Sequence, residues 1–159
     1  MIRTFDMFIE TEVPENEEII SLTDFSGIIT YANDTFAEIS GYSTDELIGK
    51  PHNIIRHPDM PKSAFEELWN SVKNGKEWQG FVKNLRNDGG YYWVFARVSA
   101  VYKNGKTVAY KSVRESISRE RKIEMQNIYD TLRNKEENQS RIVVYVDNSK
   151  LDEIKKLEE

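Results

Sequence analysis

The 159-residue sequence predicts an α+β domain: a five-stranded antiparallel sheet with helices on one face, followed by a C-terminal helix. Three observations predict it. Two strand-like runs come first, then a block of short helical segments, then three more strand-like runs, and such segregation suits an antiparallel sheet packed on helices. Asn104-Gly105 separates two of the later runs and supplies the positive φ angles of a two-residue hairpin turn. Phe65, Leu68, Trp69 and Val72 recur at i, i+3, i+4 and i+7, which makes one apolar helix stripe.

The elements follow in order. Residues 1–17 read as an extended or weakly helical cap on a domain of residues 18–116, which holds nearly all the aromatics and every glycine. Ile19–Thr23 and Ile28–Ala32 are strand-like and flank the turn residues Asp24-Phe25-Ser26-Gly27. Asn33-Asp34 caps a short helix through Ser40, ended by Gly41. Thr44–Leu47 forms a single turn, stopped by Gly49 and Pro51. Pro61 opens the longer helix, where its missing N–H would be unpaired anyway, and Gly75 closes it. Glu77–Arg86, Tyr91–Tyr102 and Thr107–Glu115 are rich in aromatic and β-branched residues and read as strands. Residues 117–137 form a helix with a loose stripe of Ile117, Met125, Ile128, Tyr129 and Leu132. Residues 138–159 are a C-terminal extension: a polar link, a strand-like run Arg141–Val146 and a second short helix.

Composition narrows the function. There is no cysteine, which rules out disulfides, thiolate metal sites and a flavin–cysteine adduct. The net charge is −5, and residues 1–18 alone carry six acids against one base, so the body is nearly neutral and lacks the basic footprint of a nucleic-acid binder. No run approaches the ~18 apolar residues of a membrane span, and the mean hydropathy is −0.66. With no apolar signal region at the N-terminus, a cytoplasmic location without direct membrane insertion is expected. No GxSxG, P-loop, HExxH or Rossmann fingerprint is present, so no enzyme is expected.

The motifs are more specific. Ala32-Asn33-Asp34-Thr35-Phe36, Ser40-Gly41-Tyr42 and Gly49-Lys50-Pro51-His52-Asn53 precede Arg56-His57-Pro58-Asp59-Met60-Pro61. Phe65, Trp69, Trp78 with Gly80, Lys83-Asn84 and Tyr92-Trp93-Val94 follow. Over roughly residues 17–116 this set resembles the FAD-binding PAS domain of the bacterial aerotaxis receptor family, and the hexapeptide before the longer helix is its most specific part. The resemblance implies a PAS fold, non-covalent FAD, and a role as a redox or oxygen sensor in energy taxis. Receptors of that family continue into a membrane anchor, a HAMP region and a chemotaxis signalling domain, which these residues do not include. The chain is more similar to a stand-alone soluble form, like the CetB energy-taxis protein. That similarity implies a membrane-bound chemoreceptor-like signalling partner, peripheral placement at the inner membrane through it, or a homodimer.

In that family the residues matching Arg56, His57 and Asp59 are associated with holding FAD. Read as residue types, Arg56 suits a pyrophosphate because a guanidinium makes bidentate bonds to phosphate oxygens. His57 and Asp59 would bind the ribose, adenine or pyrophosphate, or fix the loop; otherwise the segment is an exposed loop in which Asp59 caps the helix at Pro61. Trp69 belongs to the same family pattern. Trp78 and Asn84 share strand parity and so point to one sheet face. There Asn84 would meet the uracil-like edge of a flavin and Trp78 would pack near the ring or in plain core. Ser21 and Asn33 match polar positions near the flavin or its helical lid; Ser21 could equally bond to backbone, and Asn33 is better explained as a helix cap.

Two alternatives stand beside the flavin sensor: a haem-binding gas sensor and a cofactor-free interaction module. Haem needs one axial histidine, whereas His52 and His57 together do not complete a tetrahedral metal site. For output, the strand Thr107–Glu115 leads directly into the helix over 117–137, which is expected to contact a partner. Truncation after Glu115 is expected to leave FAD binding intact and abolish signalling.

Overall fold

In a computed structural model, which describes residues 8–145 and the side chains of residues 8–137, the chain forms ten elements. They are β1 (Ile19–Asp24), β2 (Ile29–Ala32), α1 (Asp34–Ser40), α2 (Thr44–Leu47), a 3-10 turn (His52–Ile55), α3 (Lys62–Lys73), β3 (Trp78–Leu85), β4 (Tyr91–Lys103), β5 (Lys106–Glu115) and α4 (Arg119–Tyr145). The strands make one antiparallel sheet in the order β2-β1-β5-β4-β3.

Local chemistry explains most boundaries. The β4–β5 hairpin turns at Asn104 (φ 53°) and Gly105 (φ 77°), the left-handed pair that a tight hairpin needs. In the β1–β2 turn Asp24 Oδ1 accepts from the backbone N–H groups of Ser26 and Ile28. Asn33 caps α1 by accepting from Phe36 N–H. Its amide also accepts from Ile20 N–H at 3.1 Å and donates to the Glu18 carbonyl at 2.9 Å, so the cap fixes α1 to β1. A capping box of Ser43 and Glu46 starts α2.

Alternation along the strands sorts the side chains onto two faces. On one face Trp78, Val82 and Asn84 of β3 lie beside Tyr92, Val94 and Ala96 of β4, and α1 to α3 cover this face with Phe36, Leu47, Val72 and their neighbours. The other face carries Phe81, Lys83, Trp93 and Phe95. It receives α4, where Tyr129 stacks on Trp93 at 6.3 Å and donates its hydroxyl to the Phe81 carbonyl.

One expectation is narrowed to one of its two forms and one changes. The N-terminal segment is extended and joins the start of β4: Thr11 N–H donates to the Tyr91 carbonyl and Tyr91 N–H to the Ile9 carbonyl. Arg141–Tyr145, read as strand-like, prolongs α4. An apolar β-branched run does not distinguish strand from helix by itself, and a helix already nucleated extends without a second nucleation cost. Val146 and the second short helix expected beyond it lie outside the described residues, as do residues 1–7.

Candidate ligand-binding site

Between the sheet and α3 lies a cavity of about 330 Å³, within the ~300–1,000 Å³ range of ligand pockets. Its floor is the inward parity of four strands: Ser21 of β1, Ser112 and Arg114 of β5, Ala96 and Val98 of β4, and Trp78, Val82 and Asn84 of β3. Its roof is His52 and Ile55 from the 3-10 turn and Arg56 just after it, with Phe65, Leu68 and Trp69 from the apolar stripe of α3. The lining surface is largely apolar, with polar groups from β1, β3, β5 and the turn set into it.

Trp78 is shaped by Gly80, two residues along the same face. A Cβ at position 80 would lie 2.4 Å from the Trp78 ring, so the indole lies over a position that only glycine leaves open. The indole N–H donates to Glu67 on α3 at 3.2 Å. Arg56 reaches the rim because its backbone bridges to Asn84; its guanidinium lies 3.9 Å above the Phe65 ring. Arg56, Phe65 and Trp69 also line a neighbouring groove along α3 that carries Lys62 and Lys73.

One polar cluster of the lining is centred on Arg114, which is only 2% exposed. Its Nη2 donates to Ser21 Oγ at 2.6 Å, its Nη1 lies 3.4 Å from His52 Nε2, and its guanidinium faces the Phe36 ring at 4.4 Å. Its Nε is buried without a hydrogen-bond partner, and among the described residues no carboxylate pairs with it. Burial, opposed by Tyr92, lowers its pKa to about 10, still protonated at neutral pH. Burial and then the Arg114 charge lower His52 to about 3, so its imidazole is neutral. Its Nε2 can then accept, and Ser21 Oγ, lying 3.0 Å away, can donate to it while accepting from Arg114. Burial also pushes the Tyr92 phenol up to about 12. A buried cation without a counter-charge and with an unpaired N–H is incomplete by the rule that buried polar groups find partners. It fits a ligand bringing an anionic or acceptor-rich edge.

Of the residues expected from sequence, Ser21, Arg56, Trp69, Trp78 and Asn84 line this cavity, whereas Asn33, His57 and Asp59 do not. Asn33 is committed to its cap. His57 turns away: its Nδ1 accepts from Asp59 N–H at 3.0 Å and its ring meets Tyr91 edge-on at 6.2 Å. Burial and then the Lys83 charge hold it down to about 4. Asp59 accepts from Lys83 Nζ at 2.7 Å and from Gln126 of α4 at 3.2 Å. It does not cap α3, whose N-cap is Pro61 without a side-chain bond. Periodicity fixes no side-chain direction in an irregular loop, which is why the hexapeptide could not be apportioned from sequence. Arg114 and His52 are the additions. For Arg114 the sequence signal was parity: it shares the inward register of Ser112 on a strand with buried neighbours.

A sheet-and-helix domain with an internal, partly polar cavity is an architecture with room for a small ligand. Residues 29–114 match the family model described as PAS fold, and the chain belongs to that family. It is 42% identical over 122 residues to the aerotaxis receptor of Escherichia coli (strain K12), covering 77% of this chain and 24% of the receptor. It is 30% identical over 109 residues to the nitrogen fixation regulatory protein of Klebsiella pneumoniae, covering 68% and 22%. Among solved structures it is similar to the PAS domain of a protein from Colwellia psychrerythraea, with TM-score 0.59 and 27% identity over 63% of this chain and 86% of that one. The chain thus spans about a quarter of the length of these curated relatives.

Proposed function

We propose that this PAS sensor domain binds a flavin, as FAD, and reports its redox state to a signalling partner in energy taxis. The observation that carries the reading is Arg114, buried in a largely apolar cavity with its Nε unpaired and, among the described residues, no carboxylate to balance its charge. The similarity to an aerotaxis receptor supports it. Arg114, Ser21, His52 and Asn84 would meet the polar edge of the ring system. Trp78, Val82, Phe65 and Leu68 would form its slot. Arg56 at the rim, with Lys62 and Lys73 in the adjoining groove, would meet the pyrophosphate.

A bound flavin supplies reversible electron storage. The chain's own residues do the rest. Arg114 keeps a positive charge in a dry site, so it favours any extra negative charge that reduction places nearby. Neutral His52 leaves Ser21 as the hydroxyl that can reorient between donor and acceptor roles. A change in these bonds alters the protein only if two arrangements of the chain interact differently with the two redox states. Without cysteine no thiol adduct forms. No catalytic role is assigned.

We place the partner contact on α4 and take that partner to be a membrane-bound chemoreceptor-like protein, with a second copy of the chain as the other arrangement. No helix among the described residues is long and apolar enough to cross a membrane, so attachment at the inner membrane would run through the partner. The haem reading is weaker because His57 faces away from the cavity and His52 Nε2 is engaged by Ser21 and Arg114.

The test is the absorption spectrum of the untreated protein, followed by identification of the released cofactor. A flavin spectrum and released FAD are expected. Haem, FMN alone, or no cofactor after supplementation with FAD refutes the reading. Arg56→Ala should weaken FAD about ten- to a hundredfold through the lost charge-assisted contact, and Arg56→Lys should recover only part.

A further inference from the structure

We infer that α4 is a positioning element of the ligand site, with Glu136, Arg133 and Gln126 fixing the loop from Arg56 to Pro61 and the first turn of α3. The affinity part of this inference rests on the flavin reading above.

The first turn of α3 needs help from elsewhere. A helix start leaves several N–H groups without partners, and Pro61 offers no capping side chain. Glu136, more than seventy residues away in sequence, fills that role. Its carboxylate accepts from Ser63 N–H at 3.0 Å and from Lys62 N–H at 3.2 Å. One turn back on α4, Arg133 donates to the Asp59 carbonyl and pairs with Asp130. Two turns further back, Gln126 donates to the Asp59 carboxylate, which also holds Lys83 of β3. Tyr129, between them, anchors the helix on Trp93 and the Phe81 carbonyl. One face of α4 therefore grips both ends of the segment from Asp59 to Ser63.

That segment is flanked by two residues of the cavity: Arg56 on one side and Phe65 on the other. Arg56 is three residues from Asp59, and Phe65 two residues from Ser63, which α4 holds. Loosening α4 frees the start of α3 and the loop together, and with them the rim. The coupling is reciprocal: a ligand held by the rim favours the docked helix to the same extent that docking favours the ligand. Truncation after Glu115 therefore removes the α3 cap along with the signalling helix and is expected to weaken ligand binding, contrary to the expectation drawn from sequence.

The test uses the full chain and residue-resolved amide exchange, with the parent, Glu136→Ala, Glu136→Gln and the neighbouring Glu137→Ala, with and without FAD. Glu136→Ala is expected to speed exchange at Lys62 and Ser63 by about fivefold or more, the size of a lost cap. Glu136→Gln, keeping one acceptor oxygen, should do less, and Glu137→Ala nothing. The FAD concentration for half-saturation should rise in the same order. Unchanged exchange in Glu136→Ala overturns the inference, as does an equal rise in Glu137→Ala. Faster exchange with unchanged FAD affinity also overturns it, since the helix would then position nothing the ligand uses. If the parent takes up no FAD, the flavin reading fails by itself. The inference is then decided by the Arg56 amide, which donates to the Asn53 carbonyl: it must lose protection together with Lys62 and Ser63.

Discussion

Arg114→Met separates a ligand-binding role from a structural one, because the two move stability and affinity in opposite directions. Burying a guanidinium costs several kcal/mol even after relaxation. Its returns in the ligand-free protein are one charge-assisted bond to Ser21, worth about 1.5–3 kcal/mol, a long contact to His52, and the Phe36 face, worth about 1–2 kcal/mol. With no carboxylate partner among the described residues these do not offset the desolvation, and methionine fills a similar volume without it. The FAD-free variant should therefore be more stable than the parent by about 1–3 kcal/mol in urea unfolding. FAD affinity should fall about thirtyfold or more, from the loss of charge-assisted contacts worth about 2–3 kcal/mol. The two assays are urea denaturation of flavin-stripped protein and fluorescence titration with FAD. A variant that is less stable without ligand, yet binds FAD like the parent, refutes the reasoning and makes Arg114 a core residue.

Asp59→Asn should destabilise the fold by about 2 kcal/mol in the same urea assay, because it leaves Lys83 without its anion in a site that is 11% exposed; an unchanged midpoint would show that the pair contributes nothing. Gly80→Ala should displace the Trp78 indole and lower flavin retention after dialysis, and retention equal to the parent would mean the ring does not border the ligand. Stability should fall as pH drops from 7 to 5. His52 and His57 have folded pKa values near 3 and 4, below the ordinary ~6.5, so the unfolded chain binds protons first and gains on the native state in that window. For the buried His57 the loss is about 2 kcal/mol over those two pH units, and His57→Gln should remove that share of the slope; a slope that persists in the variant would show that His57 does not supply it. Burial pushes Asp59 up, but Lys83, His57 and Gln126 outweigh it and hold the carboxyl low, so its share is lost only at more acid pH.

What the sequence determined by itself was local in origin. The Asn104-Gly105 turn, the α3 stripe, the Asn33 cap and the shared face of Trp78 and Asn84 each follow from φ preferences or a repeat of 2 or 3.6 residues. Those periods put Trp69 on the α3 stripe and Trp78 with Asn84 on one sheet face before any tertiary contact was known; Ser21 entered only through the family resemblance, as did the hexapeptide that marked the loop carrying Arg56 to the rim. Tertiary structure decided how that loop divides. Arg56 goes to the cavity, whereas His57 and Asp59 go to the opposite side, where Lys83 and α4 supply their charges and donors. It also decided that Arg114 stands without a counter-charge among the described residues, since that depends on every chain segment around it, from Ser21 on β1 to His52 on the turn. The remote cap from Glu136 to α3 has the same origin. Periodicity assigns a residue to a face, but which groups meet across the fold depends on chain segments that come together only when the sheet has closed and α4 has packed on it.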